Sequence, residues 1–155
     1  QAAHPELPII GVIEPGAEAA VAATKTGRIA VLATEGTVRG GAYQREILRR
    51  MPQARVAAIP ATLFVALAEE GWTQGDVASA TARRYLAPVL AQPAAAPDVL
   101  VLGCTHFPPL ADVIQREAGP GIRIVDSAVT TAEALADLLA TRGLAAPAGE
   151  RTSRR

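Results

Sequence analysis

Short runs of continuously apolar residues recur along this chain, each closed by Gly, Thr, Asp or Pro and each followed by a helix-like pattern. This alternation constrains the fold more than any other feature. Pro8 to Ile13, Arg28 to Thr34, Arg55 to Ile59, Val99 to Leu102 and Ile122 to Val125 read as strands. Helical patterns fill the intervals at Gly16–Lys25, Gly40–Met51, Thr62–Glu70, Gln74–Leu90, Leu110–Glu117 and Thr130–Arg142, with Gly27, Gly71 and Gly143 placed as stops. A strand apolar at successive positions has no face to give to water. The pattern therefore predicts an α/β fold: a parallel sheet covered by helices on both sides. A chain of 155 residues is long enough for one such layered domain with a real core.

In open parallel sheets, ligands bind where the strands end at their carboxyl edges, so chemistry is expected just after each apolar run. Those positions hold Glu14-Pro15-Gly16, Thr34-Glu35-Gly36-Thr37, Pro60-Ala61-Thr62, Gly103-Cys104-Thr105-His106 and Asp126-Ser127. The fourth set carries the only cysteine and one of the two histidines of the chain. Gly103 allows close backbone approach, and a following helix start would favour a thiolate or a bound carboxylate. His106, two residues on, is a candidate acid, base or hydrogen-bonding partner near neutral pH. A cysteine in an apolar run is by itself a small buried hydrophobe. Its Gly, Thr and His neighbours are poor material for a core, and they keep the reactive reading open. Thr34 and Thr37 offer hydroxyl donors to a carboxylate, or a helix N-cap; the two roles are compatible. Glu69 and Glu70 read from spacing alone as a solvated acidic pair, Glu14 as a cleft or hinge residue, and Tyr43 and Trp72 as packing aromatics.

The formal net charge is zero, and the basic cluster Arg151-Thr152-Ser153-Arg154-Arg155 reads as a solvated tail. No nucleic-acid partner is expected from that balance. No apolar stretch approaches the roughly 20 residues of a membrane span, and the first residues lack a signal-peptide pattern, so a cytoplasmic chain without a membrane partner is expected. A lone cysteine excludes an internal disulfide and a Cys-rich zinc site. Neither a P-loop nor a G-x-G-x-x-G after a strand is present, which argues against a nucleotide cofactor. Gln92 to Pro97 reads as a surface connection. Gln1 is not an initiator residue, and the chain reads as a fragment of a longer one.

Several stretches resemble a known family. "GVIEPGAEAAVAATKTGRIAVLATEGTV", "GAYQREI", "LAEEGW" and above all "LGCTHFPPL" are similar, in order, to segments of the glutamate racemases of the aspartate/glutamate racemase family. The resemblance runs from about Pro8 to Leu144. It implies a cofactor-independent, metal-free interconversion of L- and D-glutamate for bacterial cell-wall synthesis, with two cysteines acting on opposite faces of the substrate. Cys104 matches the second of those cysteines. Thr105 and His106 match the substrate-contacting and thiol-assisting residues after it, Glu69 the assisting acid, and Thr37 and Thr34 positions near the substrate. The resemblance also implies a homodimer and a fold of two α/β lobes. Residues 14–126 would form the second lobe, 1–13 and 127–144 segments of an incomplete first lobe, and 145–155 a disordered tail.

The departures from the family matter equally. The first catalytic cysteine belongs to a Cys-Asn-Thr motif, and this chain has neither a second Cys nor any Asn. Phe107 and Pro109 stand where Tyr and Leu are common. Half an inverting site predicts a chain that is inactive alone and that exposes apolar surface on its first-lobe segments. Racemisation of aspartate or another amino acid, and a non-catalytic binding module of the same fold, are the competing readings.

Overall fold

In the computed structural model, which describes residues 7–146, four parallel strands alternate with helices. The strands are β1 (Arg28–Ala33), β2 (Arg55–Pro60), β3 (Val99–Leu102) and β4 (Arg123–Asp126), ordered β2-β1-β3-β4 across the sheet. The helices are α1 (Ile13–Ala23), α2 (Glu35–Gly40), α3 (Ala42–Arg50), α4 (Leu63–Glu69), α5 (Gly75–Leu90), α6 (Ala111–Ala118) and α7 (Ser127–Thr141). Pairing is in parallel register throughout: Leu32 stands opposite Ile59 on one side and Leu102 on the other, and Leu102 opposite Asp126.

Strand alternation sorts the core into two layers. Ile29, Val31, Ala33, Val99 and Val101 face α1 and α3, where Ala17, Ala20, Tyr43 and Ile47 are buried. Ala30, Leu32, Leu100 and Leu102 face the other way, onto Phe64, Leu67, Leu86, Phe107, Leu110 and Ile114 of the α4–α6 side. β3 is buried at every position, as its unbroken apolar run requires. On the α4–α6 side, Phe64 sits edge-on to both Tyr85 and Phe107, with ring centroids 5.2 and 5.4 Å apart.

Three expectations are corrected. Pro8 to Ile13 is not a strand: residues 8–11 have no regular structure and α1 begins at Ile13. Pro8 has no N–H for a ladder, and Ile9 and Val12 are exposed, so this apolar run has no sheet to enter. Glu14, Pro15 and Gly16 consequently lie in the first turn and body of α1 rather than at a strand end. The helix expected over Gly40–Met51 is α3, but a short helix not expected there, α2, precedes it, and Gly41 at φ 64° divides the two. The last helix starts three residues earlier than expected, where the Asp126 carboxylate accepts from the N–H of Ala128 at 2.7 Å and caps α7.

At the opposite edge, Asp98 secures the turn between α1 and β1. It accepts from the Thr24 hydroxyl at 2.5 Å and from the N–H groups of Lys25 and Thr26 at 2.7 and 2.9 Å. Partial burial alone would raise its pKa, but these hydrogen bonds outweigh it and hold the carboxyl below the usual range. Among the described residues, exposed large apolar side chains occur on the segments assigned by resemblance to the first lobe, at Leu7, Ile9, Val12, Val129, Leu135 and Leu144. They occur also elsewhere, at Leu48, Leu63, Val77 and Trp72, the last of which is therefore not the packing aromatic expected. Among the described residues no helix is long and apolar enough to cross a membrane. Residues 147–155, most of the expected tail, lie outside the described residues, as does His4.

Two stability measurements follow. Phe64→Ala removes a fully buried ring and is expected to cost about 3–5 kcal/mol in urea denaturation. For Asp98, a carboxyl pKa depressed by folding gives stability that is present above the unfolded value, near 3.9, and lost as pH falls through the folded value. Asp98→Ala should therefore cost about 1 kcal/mol at pH 7, with the gap to the parent closing as denaturation is repeated in acid below pH 4.

Candidate active site

The strand order reverses direction between β1 and β3, since the chain moves from β1 outward to β2 and then back across β1 to β3. That is the switch point at which an open sheet leaves a crevice beyond its carboxyl edge. Because Leu32 pairs with Leu102, the residues that emerge side by side there are Ala33-Thr34 and Gly103-Cys104. The N–H of Gly103 donates to the carbonyl of Leu32 at 2.8 Å, carrying the pairing one residue past the strand. Cys104 then turns out of the sheet, and the N–H of Phe107 closes the turn on the Cys104 carbonyl at 3.1 Å.

Three of the expected side chains form a line. Cys104, half-buried, places Sγ 3.8 Å from Nδ1 of His106, and Nε2 of the same ring lies 2.7 Å from Oε1 of Glu69 at the end of α4. A carboxylate only accepts, so Glu69 assigns the ring proton to Nε2, and Nδ1 of the neutral ring is left as an acceptor facing sulfur. The pair can then exist as thiol with neutral imidazole or as thiolate with imidazolium. A proton can be taken up at sulfur and passed to the ring without moving a heavy atom far. The His106 and Glu69 side chains are 39% and 66% exposed, so water screens their attraction in this open face.

Beside this line, the hydroxyls of Thr34 and Thr37 are 3.0 Å apart and share one hydrogen bond. Thr34 also caps α2, accepting from the Thr37 N–H at 3.5 Å, which is a long bond. The cap leaves one hydroxyl proton of the pair free to donate outward. Thr105 is exposed on the turn. Thr62, from the third strand-end set, accepts from the N–H of Glu35 at 3.4 Å and links the β1 and β2 edges. Glu14 is exposed on α1 and stands apart from this set of contacts. The Ser127 hydroxyl points inward and donates to the Leu102 carbonyl at 2.6 Å.

Beneath Cys104 lies a residue that spacing did not single out. Tyr43 of α3 is 1% exposed, and its ring edge presses against the Gly103 backbone: a Cβ at Gly103 would stand 2.9 Å from Tyr43 Cε2, 3.2 Å from the Leu32 carbonyl and 3.3 Å from Val31 Cγ1. The glycine before the cysteine is thus required by packing. Burial pushes the Tyr43 phenol above its ordinary pKa, the Ser127 hydroxyl opposes the rise, and Cys104 adds to it, so the group is neutral across the physiological range.

The layered parallel α/β fold thus sets a thiol, an imidazole and a carboxylate in line at its switch point. Residues 1–135 match the Asp/Glu/Hydantoin racemase family, and the chain belongs to that family. It is 46% identical over 144 residues to the glutamate racemase of Geobacter metallireducens, covering 93% of this chain and 52% of the relative. Among solved structures, glutamate racemase isoform RacE1 from Bacillus anthracis superposes with a TM-score of 0.86 at 30% identity, covering 94% of this chain and 54% of that one. Glutamate racemase from Francisella tularensis in complex with D-glutamate gives 0.83 at 26% identity, over 95% and 53% of the two chains. The chain spans about half the length of the relatives it matches.

Gly103→Ala tests the packing under the site. With backbone and a buried ring inside contact distance, it is expected to cost about 1–3 kcal/mol by urea denaturation. Gly36→Ala, where a Cβ would meet nothing within 4 Å, should stay within about 0.5 kcal/mol of the parent.

Proposed function

We propose that this chain supplies one half of a cofactor-independent glutamate racemase, with Cys104 as the acid–base group for one face of the α-carbon. The observation that carries the reading is the hydrogen-bonded line from Cys104 through His106 to Glu69 at the sheet's switch point. The relatives in sequence carry the name glutamate racemase, and the Francisella tularensis structure is a complex with D-glutamate; both favour glutamate over aspartate as the substrate.

In this reading the Cys104 thiolate removes the α-proton, which becomes the thiol proton while the electron pair stays on carbon and spreads into the adjacent carboxylate. A proton from a group on the opposite face then completes the inverted product. In the reverse direction, the Cys104 thiol is the donor. His106 holds the sulfur and takes part of its proton's charge, and Glu69 fixes the ring's orientation. Thr34, Thr37 and Thr105 hold the substrate's polar groups by hydroxyl donation, stabilising the charge that grows on its carboxylate. Inversion requires groups on two faces, so the opposite base belongs to a part of the protein beyond the single cysteine here. Residues 14–126 are the lobe that carries Cys104. Residues 7–13 and α7, with their exposed apolar side chains, are segments of the first lobe, whose remainder would cover them.

The test is to join this chain to the first half of the Geobacter metallireducens relative and follow glutamate inversion by circular dichroism. The joined protein should invert either enantiomer, whereas the 155-residue chain alone should not. Cys104→Ala in the joined protein should abolish inversion, and His106→Ala should lower kcat by roughly 10²–10⁴-fold. Undiminished inversion in Cys104→Ala would sink the reading.

A further inference from the structure

Tyr43 is held in place by the absence of side chains on two sides. A Cβ at Gly16 of α1 would stand 3.3 Å from Tyr43 Cε1 and 3.5 Å from its hydroxyl oxygen, while a Cβ at Gly103 would stand 2.9 Å from Cε2 on the opposite edge. The ring is therefore wedged between α1 and the backbone that carries Cys104. Its two ends face different neighbours. The hydroxyl lies towards Gly16 and Ser127, where it is buried without a hydrogen-bond partner of good geometry. The ring edge meets the turn. The two-sided contact leaves room for a flat ring edge and for nothing thicker. No flexible aliphatic side chain presents such an edge.

We propose that Tyr43 is a positioning residue for Cys104: its ring sets the height of the Gly103-Cys104 turn above the sheet and thereby the separation between the Cys104 sulfur and Nδ1 of His106. At 3.8 Å that separation is at the outer limit of a sulfur hydrogen bond, so a small drop of the turn uncouples the pair. This rests on the reading of Cys104 and His106 as a proton-carrying pair. Tyr43 touches no substrate and acts only through the Gly103 backbone.

Because Cys104 is the only cysteine, its alkylation by iodoacetamide reports on this one thiol. The rate at pH 7 is measured for the 155-residue chain, His106→Ala, Tyr43→Leu and the double variant. Tyr43→Phe keeps the ring, and Ile47→Ala is an equally buried change in the same layer on the same helix. Thermal melts by circular dichroism accompany each. In the parent and in Tyr43→Phe, His106→Ala should change the rate about threefold or more. In Tyr43→Leu the same substitution should change it less than about twofold, the limit of independent behaviour. Ile47→Ala should destabilise the chain yet keep the full His106 effect. An undiminished His106 effect in Tyr43→Leu overturns the proposal, and so does an equal loss of that effect in Ile47→Ala, which would mark Tyr43 as packing alone. If His106→Ala leaves the parent unchanged, the proton-pair reading falls by itself. Tyr43 is then judged by its own effect, and a Tyr43→Leu rate within about twofold of the parent overturns the positioning role.

Discussion

The pairing of β1 with β3 is the interaction on which the rest of this molecule depends. It joins two runs that are buried on both faces, so that alternate residues feed the two core layers, and it sets the point where the strand order reverses. It also brings Thr34 and Cys104 out of the sheet side by side. The register leaves no slack: moving β3 by one residue would turn Leu100 and Leu102 from the Phe64 side to the Tyr43 side, where the small Ala17 and Ala20 of α1 pack close. The Gly103 N–H bonded to Leu32 extends that register into the turn carrying the cysteine. Where the reactive group leaves the sheet is therefore an outcome of strand register and core packing.

Much of this was legible in the sequence because the physics involved is local. Unbroken apolar runs at Arg28–Thr34 and Val99–Leu102 can only be central strands, and the polar residues that end them must lie at the carboxyl edge. Gly71 and Gly143 were readable as helix stops for the same reason, since both take the left-handed conformation that side chains avoid. Pro8 to Ile13 failed because apolarity reports burial somewhere, and a strand needs a partner as well. Ile9 and Val12 of that run are exposed in this chain. The short helix α2 went unread because six residues ending before Gly41 carry too little periodicity to stand out.

The Cys104, His106 and Glu69 line shows where spacing alone stops. Cys104 and His106 are two residues apart and could be paired by inspection, but Glu69 is 37 residues from His106 and looked like half of a solvated acidic pair. It came into view through the resemblance to a family, and the geometry then gave it a physical role, since it decides which ring nitrogen carries the proton. Tyr43 and Ser127 were less visible still. Ser127 was read only as a strand-end residue and Tyr43 only as a packing aromatic; Gly16 and Gly103, far away in sequence, are the residues that make room for the ring. In the proposed reading, the open carboxyl edge and its single cysteine make half of a cleft.

The central claim is that Cys104 serves one face of the α-carbon and one only. The most direct measurement is deuterium wash-in at the α-position of L- and D-glutamate, followed by proton NMR in heavy water, for the two-lobed protein carrying Cys104→Ser. The account predicts that one enantiomer still exchanges its α-proton at the intact opposite base while the other does not, and that neither is inverted. Exchange of both enantiomers, or continued inversion, would show that another group serves the face assigned to Cys104 and would contradict the account.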